Sequence, residues 1–339
     1  MDDSTTTIAV VIPCYRVRRH IADVLARIGP EVSAIYCVDD GCPEDSGTAA
    51  AEAAADDPRV RVLRHPRNMG VGAAVMTGYR QALADSADVI VKLDGDGQMS
   101  PEDIPCLIAP ILRGEADYVK GNRFFDLDTI RAMPWLRLVG NAGLSFLSKV
   151  SSGYWNIFDP TNGFTAIHAR AAEILPWEKL SRRYFFESDI LFRLNNMRAV
   201  VTDVPLSARY GDEKSNLSIR KVLIQFPVYH LRNFVKRIFY HYFLRDFNTA
   251  SVSLTLGLTL TAFGVIVGWW HWLTGAMFDI VATPGTVMLA GLPTILGFQS
   301  LLSFVQFDTT NVPKRPLQSI RGAPRLSSVR VKWKHRLAG

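Results

Sequence analysis

Asp94 and Asp96 form the most specific chemical pattern in the sequence. Only Gly95 separates them, and they directly follow the apolar run Val89–Leu93, which predicts a buried strand. Carboxylate oxygens on a flexible turn suit Mg²⁺ or Mn²⁺, which share their remaining positions with water and substrate phosphates. The later ligands of an EF-hand loop are missing. The pair therefore predicts a divalent-ion site, although a solvent-exposed turn rich in Asp and Gly would show the same pattern.

The strand Val89–Leu93 is the fourth in an alternating series of apolar runs and helical segments. The earlier strands are expected at Ile8–Ile12, Ala34–Val38 and Val60–Leu63. This order predicts an α/β fold, Rossmann-like, with a mostly parallel sheet, helices on both faces and right-handed crossovers. Ligands of such sheets bind at the carboxyl ends of the strands, and the two aspartates come directly after the carboxyl end of this strand.

Other polar residues fall at the same edge of the expected sheet. Pro13 and Tyr15 follow the first strand, and Asp39 and Asp40 follow the second. A carboxylate there can accept hydrogen bonds from a base or ribose, Tyr15 can flank a base, and the Gly70–Gly72 turn offers amides to phosphate. Taken singly, Tyr15 is explained by packing and the two acids by a helix-capping turn. Taken together, these residues predict a nucleotide-diphosphate site with a metal ion.

A dinucleotide-binding fold is the alternative interpretation of the glycine-rich turn. The run Gly70–Val75 differs by one residue from the G-x-G-x-x-G pattern. However, it follows the third strand rather than the first, and no acid ends a following strand about 20 residues later. The sequence therefore favours the nucleotide-diphosphate site.

Four segments in this order resemble the GT-A fold of family 2 glycosyltransferases, over roughly the first two thirds of the chain. They are Ile8–Tyr15, Val38–Asp45, Arg67–Ala74 and Leu93–Gln98. The resemblance implies that the acids after the second strand hold the nucleotide of a UDP- or GDP-linked sugar. It also implies that the D-x-D pair, Asp94 and Asp96, holds Mg²⁺ or Mn²⁺ on the diphosphate. The implied donor contacts are Pro13, Tyr15, Asp39, Asp40, Asn68, Gly70, Asp94 and Gln98.

Three later motifs resemble the polyprenyl-phosphate branch of that family. Gly121-Asn-Arg123 matches its G-x-R motif, Asp159–Phe164 its D-x-x-x-G-F turn, and Tyr210–Ser215 its loop of Gly, Glu, Ser and Lys. The last match departs from the usual G-E-S-K order, which leaves open the register of Arg209 and Lys214. The resemblance implies an inverting transfer to a polyprenyl phosphate of the undecaprenyl or dolichyl type.

The charge of a lipid monophosphate acceptor determines which catalytic groups its enzyme needs. The second pKa of a phosphomonoester lies near 6, so the dianion dominates at neutral pH and needs little general-base help. Positioning and charge neutralisation should then carry the rate. Instead of contacting a substrate, Asp159 could simply form an Asx-Pro turn, and either Glu187 or Asp189 could cap a helix. The residues expected to act on acceptor or sugar are Asp96, Asp159, Arg123, Arg137 and Glu187, with Arg209 or Lys214 as a further phosphate contact.

The two parts of the chain differ in charge. Met1–Ser215 contains 24 Lys and Arg against 29 Asp and Glu, whereas Asn216–Gly339 contains 14 against 3. No charged residue occurs within 247–278 or 280–307, and each stretch exceeds the roughly 20 apolar residues that cross a bilayer. We expect spans near 250–273 and 284–307, with an aromatic belt at the end of the first.

The distribution of Lys and Arg predicts the topology. Six precede the spans within Asn216–Asp246, eight follow Phe307, and the loop between the spans has none. By the positive-inside rule both termini are then cytoplasmic and the chain is an integral membrane protein in contact with lipids. The expected layout is a cytosolic catalytic domain over 1–215, amphipathic helices over 216–247 split near Pro227, two transmembrane helices within 248–307, and a basic cytosolic tail over 308–339.

Other functions fit less well. The first part lacks the interleaved aromatic and basic residues of nucleic-acid proteins, and the four cysteines and His168 show no metal-ligand spacing. A processive polysaccharide synthase would carry Q-x-x-R-W, whereas Gln225 is followed by Phe-Pro-Val-Tyr, and two spans are few for a polymer channel. A membrane-tethered scaffold without catalysis is the alternative outside enzymes. The family resemblance also suggests a homo-oligomer.

Overall fold

A computed structural model describes residues 6–125, 135–206 and 219–320 of the chain. The chain divides into two compact units. One contains the residues up to His230 together with those from Pro313 onward, and the other contains Leu231–Val312. The first unit therefore includes residues beyond the domain expected over 1–215 and part of the expected tail.

A seven-stranded sheet forms the centre of the first unit. Its strands are β1 (Ile8–Cys14), β2 (Ala34–Asp39), β3 (Val60–Arg64), β4 (Val89–Lys92), β5 (Tyr118–Asn122), β6 (Thr165–His168) and β7 (Val201–Pro205). Their order is β3-β2-β1-β4-β6-β5-β7, and only β6 is antiparallel to its neighbours. The expected mostly parallel sheet is confirmed. The reversal of β6 brings the turn before it to the edge where β4 and β5 end.

Helices connect these strands as the alternating pattern predicts. They are α1 (Ile21–Ala26), α2 (Ser46–Ala53), α3 (Val71–Ala84), α4 (Ile104–Leu112), α5 (Trp135–Ser152), α6 (Ala169–Glu173) and α7 (Phe186–Asn196). The central strands β1 and β4 are buried almost throughout, as expected for parallel strands covered on both faces. Val10, Ile12 and Val91 share one core with Ile21 and Leu107. This core holds the carboxyl ends of β1 and β4 in place.

Asp117, which directly precedes β5, is fully buried and binds a segment near the C-terminus. Its carboxylate accepts hydrogen bonds from the amides of Val200, Leu317 and Gln318 at 2.8, 2.9 and 3.1 Å. The side chain of Gln318 donates two more bonds to backbone carbonyls. The 3₁₀ turn Leu317–Ser319 is thus fixed to the sheet unit, whereas the sequence predicted only a basic tail over 308–339. Residues 321–339 of that tail lie outside the described residues.

His230 is buried in the first unit. Its Nδ1 lies 2.7 Å from the hydroxyl of Ser151, and its ring packs at 5.0 Å from that of Phe185. Burial lowers the pKa of His230 to about 4.

The free energy of unfolding should therefore decrease as pH falls from about 6.5 to 4. Over that range the unfolded chain takes up a proton that the folded chain excludes, which costs up to about 3 kcal/mol. Denaturant titrations of the detergent-solubilised chain across this range measure the slope. His230→Gln should flatten it, and identical slopes for the two proteins would contradict the assignment.

The second unit is helical. It begins within helix α8 (Ile219–Phe239), of which the residues from Leu231 onward belong to it. Helix α8 leads through a π-helical turn (Tyr240–Arg245) to α9 (Thr249–Phe278), which is followed by α10 (Pro284–Thr310). Helix α8 continues through Pro227, so the expected split there is wrong; a proline removes one backbone donor but a helix can bend around it. Helices α9 and α10 have the length and composition of membrane spans, and most of their large apolar side chains are exposed.

A buried ion pair lies inside the second unit. The guanidinium of Arg237 donates to both oxygens of Asp308, at 2.6 and 2.9 Å. The hydroxyl of Tyr242 donates to the same carboxylate at 2.7 Å, and its ring packs edge-on against Phe304. Arg237 is one of the six basic residues that precede the spans, and the structure buries it inside this unit.

Candidate active site

Three adjacent parallel strands end at one edge of the sheet, as the sequence predicts. In the registers, Cys14 of β1 lies beside Asp39 of β2, and Val11 of β1 lies beside Lys92 of β4. Tyr15, the Asp39–Asp40 pair and the Asp94–Asp96 loop therefore leave the sheet at the same edge. Tyr15 is half-buried, with the guanidinium of Arg16 5.5 Å from its ring centre. This edge is the candidate active site.

Both acids after β2 bind backbone amides. Asp39 accepts from the amides of Cys42 and Gly47 at 2.8 and 2.9 Å, and so holds the start of α2 as the capping interpretation predicted. Asp40 accepts from the amides of Met69 and Gly70 at 2.8 and 2.7 Å, and its Oδ1 lies 2.8 Å from Nδ1 of His65. The two carboxylates therefore shape the loops of this edge. Direct contact with a nucleotide stays a prediction.

The turn before α3 differs from the expected phosphate cradle. The amide of Gly70 donates to Asp40, and that of Ala73 donates to the carbonyl of Arg182 at 3.1 Å. Gly70 has φ +101°, and a Cβ there would lie 2.4 Å from the same carbonyl. A glycine is therefore required because the chain before α7 packs on this turn. Asn68 is exposed beside it.

The Asp94–Asp96 loop is anchored on both sides. Nζ of Lys92 donates to Oδ1 of Asp94 at 2.8 Å, while Oδ1 of Asp96 accepts from the amide of Gln98 at 3.1 Å. The side chain of Asp94 is 30% exposed, and within the described ranges its Oδ2 takes no hydrogen bond. Among the residues that the structure describes, no group of three or more His, Cys, Asp or Glu could hold a metal ion. An ion bound by Asp94 and Asp96 would therefore take its other ligands from substrate and water.

Two buried lysines, which sequence analysis missed, lie behind this loop. Lys92 of β4 and Lys120 of β5 both pair in register with Thr165 of β6, so the three form one row across the sheet. Nζ of Lys92 is 3.0 Å from Oε1 of Glu187, and Nζ of Lys120 is 3.6 Å from Oε2 of the same residue. The available signal was a lysine inside each of two apolar strand runs, where a charge needs a partner.

The two lysines differ in their electrostatic environments. Burial favours the neutral form of Lys92, but attraction to Asp94 and Glu187 outweighs it and raises the pKa of this lysine. Burial lowers the pKa of Lys120, and Glu187 offsets this only in part. The ammonium of Lys92 is therefore the more firmly charged group of the pair.

Asp159 and Arg123 form the other side of the site. Nε of Arg123 donates to Oδ2 of the fully buried Asp159 at 2.8 Å, and the arginine side chain is 34% exposed. Nζ of Lys120 donates to the carbonyl of Asn162 in the same turn at 2.7 Å. A Cβ at Gly163 would lie 2.4 Å from Oδ2 of Asp94, so the end of this turn touches the Asp94–Asp96 loop. The structure thus brings Asp94, Glu187, Asp159 and Arg123 into one connected network.

An exposed aromatic surface adjoins Arg123. The guanidinium lies 5.7 Å from the ring centre of Phe124, which packs edge-on against Phe158 at 6.4 Å. Nζ of Lys149 lies 5.5 Å from the centre of the Phe158 ring. Large apolar side chains along α5 and in the turns beside it are also exposed, namely Phe125, Trp135, Leu138, Val139, Phe146 and Phe158.

Of the remaining residues considered in the sequence, the structure describes Asp189 and His168. Asp189 lies in the first turn of α7 and accepts a hydrogen bond from the amide of Ser181 at 2.9 Å, a contact with the preceding chain and not the helix cap that the sequence predicted. His168 accepts a hydrogen bond from the amide of Arg170 at 3.1 Å, at the start of α6. The side chain of Arg137, together with Arg209 and Lys214, lies outside the described residues.

Comparisons with known proteins agree on one family. A family model described as glycosyl transferase family 2 matches residues 9–175. The polyprenol monophosphomannose synthase of Mycolicibacterium smegmatis is 32% identical over 58% of this chain and 76% of its own length. The UDP-N-acetylglucosamine–dolichyl-phosphate N-acetylglucosaminyltransferase of Methanococcus voltae is 28% identical over 66% of this chain and 93% of its own.

A solved structure shares the fold. It is glucosyl-3-phosphoglycerate synthase from Mycobacterium tuberculosis in complex with UDP, with a TM-score of 0.51 and 21% identity. The match covers 68% of this chain and 80% of that one. At this identity the likeness supports the sheet and helix arrangement only.

Proposed function

Because the chain belongs to glycosyl transferase family 2, we propose that it transfers a sugar from a nucleotide-sugar to a polyprenyl phosphate. Relatives named for dolichyl, polyprenol and undecaprenyl phosphates support this acceptor class. The product would be a monosaccharide linked to a lipid phosphate. A UDP- or GDP-linked sugar is the proposed donor.

The observation that carries the proposal is the pairing of Arg123 with an exposed aromatic surface. A polyprenyl phosphate combines a dianionic head with a hydrocarbon chain, so it needs a cation beside apolar side chains. Arg123 and Lys149 flank the Phe124–Phe158 pair, and Arg123 is also connected to Asp94 through the site network. A wholly water-soluble acceptor would give no reason for so much exposed apolar surface beside the site.

The proposed transfer is a single displacement. A phosphate oxygen of the acceptor attacks C1 of the sugar from the face opposite the nucleoside diphosphate. The new C1–O bond forms as the bond to the diphosphate breaks, and the configuration at C1 is inverted. Arg123 neutralises and orients the attacking phosphate, and Asp159 holds the guanidinium in that orientation. The dianion carries no proton that must be removed, so no general base is required.

A divalent ion is part of the proposal. Asp94 and Asp96 supply hard carboxylate oxygens on one short loop, and the partly exposed side chain of Asp94 fits a ligand to Mg²⁺ or Mn²⁺. When bound there, such an ion would neutralise charge on the departing diphosphate. Glu187, held close to Asp94 by Lys92, would face the sugar between the two phosphates.

We also propose that α9 and α10 cross the membrane and that both termini are cytoplasmic. Their length and apolar composition support the spans, and the flanking Lys and Arg support the orientation. The lipid acceptor would then be reached from the cytoplasmic face.

The test uses the full chain purified in detergent with Mn²⁺ and a panel of radiolabelled UDP- and GDP-sugars. Each donor is offered with undecaprenyl phosphate, dolichyl phosphate or a short soluble phosphomonoester. We expect one labelled glycolipid of single-sugar size, and no product from the soluble acceptor. A polymeric product would instead indicate a processive synthase. An absence of donor turnover with every lipid would indicate a scaffold.

A further inference from the structure

Lys92 and Lys120 are fully buried charges inside strands, at positions where an apolar side chain would ordinarily lie. A buried charge is costly unless it is paired, and replacing a buried ion pair by apolar residues is often neutral or stabilising. The stability of the sheet therefore gives no reason for these two lysines. Their contacts, however, lie on residues that the proposed transfer needs.

Lys92 is bound on three sides. Its ammonium lies 2.8 Å from Oδ1 of Asp94, 3.0 Å from Oε1 of Glu187 and 3.0 Å from the carbonyl of Gly163. These three acceptors use its full donor capacity. Asp94 is thereby held through its Oδ1, while its Oδ2 lies beside Gly163 and the side chain stays partly exposed before any ligand binds.

Lys120 contacts the turn that carries Asp159, on the acceptor side of the site. Its ammonium donates to the carbonyl of Asn162 at 2.7 Å and lies 3.6 Å from Oε2 of Glu187. The side-chain amide of Asn162 in turn donates to the carbonyl of Gly121 at 2.7 Å. These bonds set the shape of the turn that carries Asp159, the partner of Arg123.

We propose that Lys92 and Lys120 are positioning residues with separate tasks. Lys92 orients Asp94 on the donor side, Lys120 orients the 159–163 turn on the acceptor side, and Glu187 between them sets the spacing of the two. The inference rests on the proposed function for the identity of donor and acceptor. Because Lys92 also bonds to Gly163, its loss should affect both donor and acceptor, whereas loss of Lys120 should affect the acceptor only. A purely structural role would not produce this difference.

Lys92→Met and Lys120→Met test this, each as the matched control of the other, because both remove a buried charge and keep the side-chain length. Titration of the full chain with UDP and GDP in the presence of Mn²⁺ measures the donor side. Lys92→Met should weaken this binding about 10- to 100-fold, as is typical for partners of a metal-binding carboxylate. Lys120→Met should leave it within about twofold of the wild type, since its contacts avoid the Asp94–Asp96 loop.

Steady-state transfer measures the acceptor side. Lys120→Met should lower kcat/KM for the polyprenyl phosphate about 10- to 100-fold, because a displaced turn misaligns the attacking phosphate. Equal losses by both variants in both measurements would overturn the proposal, and so would wild-type values in both. Denaturant titrations check that each variant is folded. If either is not, Lys92→Arg and Lys120→Arg replace them, and the same division between donor and acceptor is expected.

The nucleotide titration needs no acceptor, so the two proposals fail in different ways. A wild-type chain that binds nucleotide but transfers nothing to a lipid phosphate contradicts the proposed function alone. Unchanged nucleotide binding by folded Lys92→Met contradicts the positioning role, whether or not transfer is observed.

Discussion

Asp94→Asn is expected to lower the rate of sugar transfer about 100- to 1,000-fold while the chain stays folded. The substitution keeps an oxygen that can accept the hydrogen bond from Lys92, so the loop retains its anchor. It removes the negative charge that would hold the ion against the diphosphate. The buried ammonium of Lys92 loses the charge of one partner but keeps that of Glu187 at 3.0 Å, so we expect the fold to persist. The measurement is kcat at saturating donor and Mn²⁺.

Asp56→Asn is the matched control, since Asp56 is an exposed acid remote in sequence from the loop. It should leave both kcat and the unfolding midpoint unchanged. Asp96→Asn should behave like Asp94→Asn, because both acids are proposed to hold the same ion. Full turnover by either loop variant in chelator-treated preparations would refute the metal role.

The sheet and the place of the site could be predicted because their signals are local. Apolar runs of strand length alternate with helical segments, and parallel strands bring their carboxyl ends to one edge. Tyr15, Asp39 and the Asp94–Asp96 loop were therefore assigned to the correct edge. The long apolar helices α9 and α10 could also be predicted, because their length and composition alone identify them.

The partners of the polar residues could not be predicted, because they depend on contacts distant in sequence. Asp40 binds amides about 30 residues away, and Lys92 binds a carbonyl 71 residues away. The row of Lys92, Thr165 and Lys120 exists only because β6 inserts between β4 and β5 in the antiparallel direction. No periodicity in the sequence encodes that insertion. The hydrogen bonds between Asp117 and the segment Leu317–Ser319 could not be predicted either, because they join residues about 200 apart in sequence.

Arg123→Gln is expected to lower kcat/KM for the polyprenyl phosphate about 100- to 1,000-fold with little change in nucleotide binding. The substitution removes the cation that would neutralise the attacking phosphate, while the Asp94–Asp96 loop keeps its own contacts. Arg123→Lys should recover only part of the loss. Lysine restores the charge but not the planar fork that binds Asp159 and phosphate together. Steady-state kinetics with varied acceptor measure both variants.

Stability must be separated from catalysis here, because Asp159 is fully buried and Arg123→Gln leaves its charge without this partner. That loss should cost about 3–5 kcal/mol of unfolding free energy. Adding Asp159→Asn removes the stranded charge, so the double variant should regain most of the stability and none of the activity. Arg113→Gln, at an exposed arginine paired with Glu115, is the control and should change neither quantity. Recovery of transfer in the double variant would show that Arg123 serves the fold and leaves the acceptor phosphate to other groups.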